Sequence, residues 1–186
     1  LIGKKEIVKK KLKEIGLEEN YNIEIINSTD NKKREKYAKY LYKKMQRSEG
    51  LLERDCDRLI RNDRVIWGSC MVSCGDADAM VTGNTRRYTS TLDKVKRVAE
   101  ARKGDVFYCD PPYVPLSATS SFTSYASNKF RLKDQELLAN NAYELKSKGI
   151  QCIISNHDLE YTRQLYNKAK IFNLKVQRNI ASKPTS

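Results

Sequence analysis

The chain has 186 residues, 39% hydrophobic and 32% charged, enough for one domain with a sizeable core or for two partial ones. No apolar run approaches the roughly 20 residues of a membrane span, and no basic-then-apolar start with a small-residue cleavage site is present, so neither membrane insertion nor export is expected. The formal net charge of +13 is spread over both halves and fits either a polyanionic partner held through its phosphates or a Lys-rich solvated surface.

Residues 1–3 read as the end of a short strand that runs into a Lys-rich helix over 4–15, ending at Gly16. Ile7, Val8, Leu12 and Ile15 form its apolar stripe, and its lysines make a solvated face. Ile23–Ile26 is a short β-rich run, followed by a turn or helix cap at Asn27-Ser28-Thr29-Asp30. Tyr37, Tyr40, Leu41 and Met45 recur at helical spacing within 33–48, and a further helix is expected over 51–60. Val65–Val72 follows, and then Ala77–Thr82, whose small and apolar residues suit a buried strand. Thr91–Ala101 has a helical period. Asp105–Cys109 and Ile150–Ser155 read as strands separated by a helix over Gln135–Lys148 that stops at Gly149. A helix over Tyr161–Lys170 and one or two strands within Ile171–Ile180 complete the chain. Strands alternating with helices predict an α/β layered fold with a mostly parallel sheet.

Five cysteines, Cys56, Cys70, Cys74, Cys109 and Cys152, are neither even in number nor dense enough for a disulfide scaffold, which points to a reduced, cytoplasmic chain. Cys70-x-x-x-Cys74 lacks partners for a zinc site. Asp76 and Asp78 could serve as a carboxylate pair or as loop-capping acids. With no third ligand, no metal site is expected.

The pattern with chemistry in it is Asp110-Pro111-Pro112-Tyr113, at the abrupt end of the strand Gly104-Asp105-Val106-Phe107-Tyr108-Cys109. In a parallel α/β sheet, ligands bind beyond the carboxyl ends of strands. Two prolines stiffen the turn and remove two N–H donors. An exocyclic amino group needs acceptors, which Asp110 and the Pro111 carbonyl could supply, and Tyr113 offers a face on which a purine can stack. A base inside a duplex must be flipped out to reach such a pocket. Taken alone, four residues leave open a plain strand end with a solvent-facing Asp. The single histidine, His157, lies in Ser155-Asn156-His157-Asp158 at the end of the next strand, where a lone His is more often structural than a general base.

Residues 104–128, GDVFYCDPPYVPLSATSSFTSYASN, and 150–158, IQCIISNHD, resemble the C-terminal part of the Dam-type DNA adenine-N6 methyltransferases, and the likeness extends from about 102 to 183. The resemblance implies S-adenosylmethionine as cofactor, with Asp110 near its methyl group, and double-stranded DNA as partner with a GATC-like site. Asp110, Pro111, Pro112 and Tyr113 would hold the flipped adenine. Ser121, Phe122, Thr123 and Tyr125, in the segment after the motif, would engage DNA. Lys175, Arg178 and Lys183 could contact phosphates or be scattered surface charge. That family has a Phe-x-Gly-type cofactor loop and a DNA-recognition region upstream of the motif, and neither is visible in residues 1–101. Methyl transfer by this chain alone is therefore not expected.

Leu1-Ile2-Gly3-Lys4-Lys5, the helix to Gly16 and above all Gly75-Asp76-Ala77-Asp78-Ala79-Met80-Val81-Thr82-Gly83 resemble the phosphate acetyltransferase-type domain that also occurs in NADP-dependent malic enzymes. Arg86, Tyr88 and Thr91-Leu92 continue the likeness, which covers only the first third or so of that domain and none of its catalytic residues. The changeover near Arg97–Lys103 has no Pro/Gly/Ser-rich linker. The reading is of two incomplete α/β segments joined, 1–101 and 102–186. Its rivals are an acetyl-CoA or acyl-phosphate-binding segment, an inactive hybrid and a basic nucleic-acid-binding module. Oligomeric state is open.

Overall fold

The computed structural model describes residues 1–17, 23–29, 32–83, 86–116 and 130–175. The chain divides into two compact units, Leu1–Asp105 and Val106–Ser186.

The first unit is helical: α1 Lys5–Glu14, α2 Arg34–Glu49, α3 Glu53–Asn62, α4 Arg64–Ser73 and α5 Tyr88–Val98. Tyr37, Ala38, Leu41 and Met45, spaced at about one turn, turn the same face of α2 inward, and the helix ends at Gly50, whose φ of 66° is left-handed. Asp55 caps α3 by accepting from the Leu52 N–H at 3.2 Å. Asp63 caps α4, its Oδ1 accepting from the N–H of Val65 at 2.9 Å, while its Oδ2 meets Lys94 and Arg86. Every residue from Val65 to Cys70 is buried, so α4 is apolar all round because other helices surround it. Trp67, fully buried, packs edge-on against Tyr37 with ring centroids 4.9 Å apart. The core is completed by Ile26, Cys56, Ile60, Cys70 and Val98. Burial pushes the Cys70 thiol well above its ordinary range, leaving it inert packing.

The second unit contains β1 Val106–Cys109, α6 Leu132–Ser147, β2 Gln151–Ile154 and α7 Glu160–Leu165. β1 and β2 pair in parallel with Val106 opposite Gln151 and Cys109 opposite Ile154. Alternate residues Phe107, Cys109, Cys152 and Ile154 turn away from solvent, whereas Val106, Tyr108 and Ile153 are 54%, 67% and 55% exposed.

The expected layered, mostly parallel sheet is corrected. Among the described residues the protein is mostly helical, with one two-stranded parallel sheet and an isolated parallel bridge between Ile2 and Ile26. The β-rich run Ile23–Ile26 finds only that bridge. Ala77–Thr82 is not a buried strand: no strand among the described residues pairs with it, and Val81 is wholly exposed. Instead Met80 lies against α4 where Gly68 has no side chain, a Cβ there falling 2.6 Å from the Met80 Sδ. Residues 171–175 form no strand, and 176–180 lie outside the described residues. The last helix stops at Leu165, short of the expected Lys170. No helix among the described residues is long and apolar enough to cross a membrane.

Asp76 joins the loop after α4 to α2. Its carboxylate pairs with Lys36 at 2.8 Å and Lys33 at 3.3 Å and accepts from the Tyr37 hydroxyl at 2.9 Å. These partners, Lys36 first, hold its pKa at about 2. The depressed carboxylate stabilises the fold above the ordinary Asp pKa of about 4, and that contribution is lost as the pH falls through the folded value. Melting temperature should therefore drop between about pH 4 and 2, less steeply in Asp76→Asn. An unchanged slope in the variant would assign the acid loss to other groups.

Candidate functional site

The loops leaving the carboxyl ends of β1 and β2 lie side by side because the strands pair in parallel, and together they build the site. Asp110, Pro111, Pro112 and Tyr113 leave β1, and Ser155, Asn156, His157 and Asp158 leave β2. The ladder continues one step past the strands, with the Ser155 N–H donating to the Cys109 carbonyl at 3.1 Å.

Asp110 is exposed, and the Ser155 hydroxyl donates to its Oδ1 at 2.6 Å. No described residue bonds its Oδ2. The two proline carbonyls differ. Pro112 accepts from the Gln135 side-chain amide at 2.8 Å, whereas the Pro111 carbonyl takes no hydrogen bond among the described residues. Among the described residues the motif thus has two acceptors without a hydrogen-bond partner, Asp110 Oδ2 on an exposed residue and Pro111 O on a buried one, on a turn with no N–H at either proline.

Tyr113 is half-buried, its ring centroid 5.1 Å from that of His157 at an interplanar angle of 76°. The His157 Nδ1 lies 2.6 Å from the Val114 carbonyl. A carbonyl only accepts, so Nδ1 carries the proton. The Asn156 Oδ1 accepts from the N–H groups of Val114 at 3.1 Å and His157 at 2.9 Å, and its Nδ2 donates to Gln135 Oε1 at 3.0 Å. Thr162, buried at the start of α7, holds the same loop from below, its hydroxyl 2.7 Å from the His157 carbonyl.

Asp158 is held elsewhere. Arg163 donates to both its oxygens, at 2.6 and 2.8 Å, and Asn173 donates as well, so its pKa sits at about 2, Arg163 being the larger cause. Burial pushes the Cys152 thiol up to about 11, so this β2 cysteine is no nucleophile.

Of the residues expected from the sequence, Asp110, Pro111, Pro112 and Tyr113 come together on one turn, while Lys175 is exposed in a segment without regular structure. Ser121, Phe122, Thr123, Tyr125, Arg178 and Lys183 lie outside the described residues. Gln135 is the residue that sequence reading passed over. Its signal was available: an amide at a core-facing position of α6, in register with Leu138, Ala139 and Leu145. No group of three or more His, Cys, Asp or Glu able to hold a metal occurs among the described residues.

The fit to S-adenosylmethionine is poor. A glycine turn leaving a strand into a helix is the usual cradle for such a nucleotide-like group. The left-handed glycines among the described residues, Gly16, Gly50, Gly75, Gly83, Gly104 and Gly149, all follow helices or lie in loops, and none follows β1 or β2.

A family model described as D12 class N6 adenine-specific DNA methyltransferase matches residues 77–180. A second, phosphate acetyl/butaryl transferase, matches residues 1–108, so that 77–108 fall within both. The chain is 49% identical over 85 residues to the DNA adenine methylase of Haemophilus influenzae, covering 45% of this chain and 30% of that protein. It is 50% identical over 84 residues to the DNA adenine methylase of Vibrio cholerae (45% and 30%). Against that of Escherichia coli K12 it is 48% identical over 85 residues (46% and 31%). The chain thus spans about a third of the length of these curated relatives. With the motif, its acceptors and these matches in hand, the chain belongs to the D12 class N6 adenine-specific DNA methyltransferase family over residues 77–180 and to the phosphate acetyl/butaryl transferase family over residues 1–108.

Proposed function

We propose that residues 102–186 are the target-adenine portion of a D12-class DNA adenine-N6 methyltransferase, joined to a partial phosphate acetyltransferase-like segment at 1–101, and that the chain takes a flipped adenine from duplex DNA without methylating it. The observation that carries this reading is the pair of acceptors left without a partner among the described residues, Asp110 Oδ2 and Pro111 O, in the same four-residue motif as Tyr113. An exocyclic amino group has two N–H bonds to satisfy once it leaves the duplex. A carboxylate oxygen and a peptide carbonyl satisfy both without a competing donor, and an aromatic ring recovers the stacking lost on flipping. The excess positive charge favours a duplex partner, to which binding should weaken steeply with salt. The described residues provide no cradle for S-adenosylmethionine, and no transfer step is assigned to the chain.

The test uses a duplex in which 2-aminopurine, a purine that brightens when unstacked, is the neighbour of an adenine, so that flipping of the adenine brightens the probe while the adenine keeps its amino group. Brightening with the chain, lost in Asp110→Ala, is expected, together with no transfer of labelled methyl from S-adenosylmethionine. A folded chain that leaves the probe dark would sink the reading, and methyl incorporation would mean that a cofactor site exists after all.

A second reading rests on the match over 1–108, in which the first unit holds acetyl-CoA or an acyl phosphate. It predicts a rise in melting temperature with acetyl-CoA and none with S-adenosylmethionine. Equal, negligible shifts with both would remove it.

A further inference from the structure

We propose that Gln135 is a positioning residue for the adenine pocket, setting which proline carbonyl faces the base and how Tyr113 is held. The inference rests on the base-capture reading above and deepens it.

The side chain of Gln135 is only 2% exposed, on a helix separated in sequence from both site loops. A buried carboxamide that lacked partners would destabilise the fold, so its bonds define its role. Its Nε2 donates to Pro112 O and its Oε1 accepts from Asn156 Nδ2. Asn156 Oδ1 accepts in turn from the backbone N–H groups of Val114 and His157. The His157 Nδ1–H closes the circuit on the Val114 carbonyl.

The polarity of this chain of bonds is unique. Its ends are backbone groups of fixed character, an acceptor at Pro112 and donors at Val114 and His157. Turning over either amide would set two acceptors or two donors against each other. Gln135 therefore bonds one specific carbonyl of the turn. By holding Pro112 O it fixes the turn on which Pro111 O has no hydrogen-bond partner among the described residues, and through Asn156 it fixes the loop that brings His157 against the Tyr113 ring. No other side chain among the described residues links the helix to both loops by hydrogen bonds to the Pro112 and Asn156 positions.

His157 is the only histidine in the chain, so its imidazole nitrogens give an uncrowded NMR reading of the circuit. In the full chain, under conditions where the ring is neutral, the Nδ1-protonated form is expected. Gln135→Leu removes both bonds, and Gln135→Glu keeps the shape while setting a carboxylate against the Pro112 carbonyl. Asn156→Asp breaks the circuit from its other end should either fail to fold. Each should lose the pure Nδ1–H signature and weaken capture of the 2-aminopurine duplex roughly tenfold. Leu138→Ala, an equally buried change on the same helix, should lower stability and leave the imidazole spectrum alone.

The proposal is overturned if folded Gln135 variants keep the wild-type imidazole spectrum, or if Leu138→Ala shifts it as far. The imidazole reading needs no DNA. A dark probe with a Gln135-dependent spectrum would therefore sink base capture alone, and a bright probe with an indifferent spectrum would sink the positioning role alone.

Discussion

Trp67→Ala should destabilise the helical unit by roughly 3–5 kcal/mol, followed by urea denaturation with far-ultraviolet circular dichroism. The side chain is fully buried on α4, against Tyr37 and in the same core cluster as Leu41, Met45 and Ile60. Its removal leaves a cavity that α2 and α3 cannot close without shifting, and it also removes the edge-to-face contact with Tyr37, worth about 1 kcal/mol beyond area. Against a total of roughly 5–15 kcal/mol for a typical domain, much of the folded population is at stake. Trp67→Phe is the informative partner. The indole Nε1–H is buried with no hydrogen-bond partner among the described residues, a cost of roughly 1–3 kcal/mol that phenylalanine does not carry. The smaller ring loses some contact but sheds that penalty, so the Phe variant should fall within about 1 kcal/mol of the wild type. A Phe variant as unstable as the Ala variant would show that the indole N–H is satisfied in solution.

Helices were legible where apolar spacing repeated over several turns. Tyr37, Leu41 and Met45 marked α2, and Gly149 marked the stop after α6. The strands of the first unit were misread because the β signal is borrowed from neighbours. Ala77–Thr82 has the residues of a buried strand, yet among the described residues no strand pairs with it, and its Met80 lies against Gly68 of α4 instead. Val65–Val72 shows the same ambiguity, an apolar run that fits a buried strand or a buried helix equally well. Its burial among helices, with the Asp63 cap at its start, decided for helix.

The Asp110–Tyr113 motif was legible because its chemistry is local: two prolines, an acid and an aromatic ring need no distant partner to be noticed. What the sequence did not disclose is the asymmetry between the two proline carbonyls. That depends on Gln135, 23 residues away on a helix, and on Asn156 across the sheet. A glutamine on an amphipathic helix is ordinarily a surface residue, and only the register of Leu138, Ala139 and Leu145 shows that it faces inward. Long-range polar contacts of this kind carry no short spacing for a pattern to detect.

The ring of Tyr113 should contribute more to base capture than any charge in the site, and Tyr113→Ala should weaken binding of the 2-aminopurine duplex by roughly 5- to 150-fold. That range follows from stacking of a base on an aromatic side chain, about 1–3 kcal/mol. The imidazole meets the Tyr113 ring nearly at right angles, 76° between planes. In the proposed reading a purine stacks on this ring while its amino group reaches the acceptors of Asp110 and Pro111. Tyr113→Phe keeps the ring face and should bind within about twofold of the wild type. The titrations must share one salt concentration, because phosphate contacts shift affinity independently of the base. If Ala and Phe weaken binding equally, the hydroxyl and not the face is what the base meets. If neither does, the duplex is held by its phosphates alone, and the motif at the end of β1 is a strand terminus without a ligand.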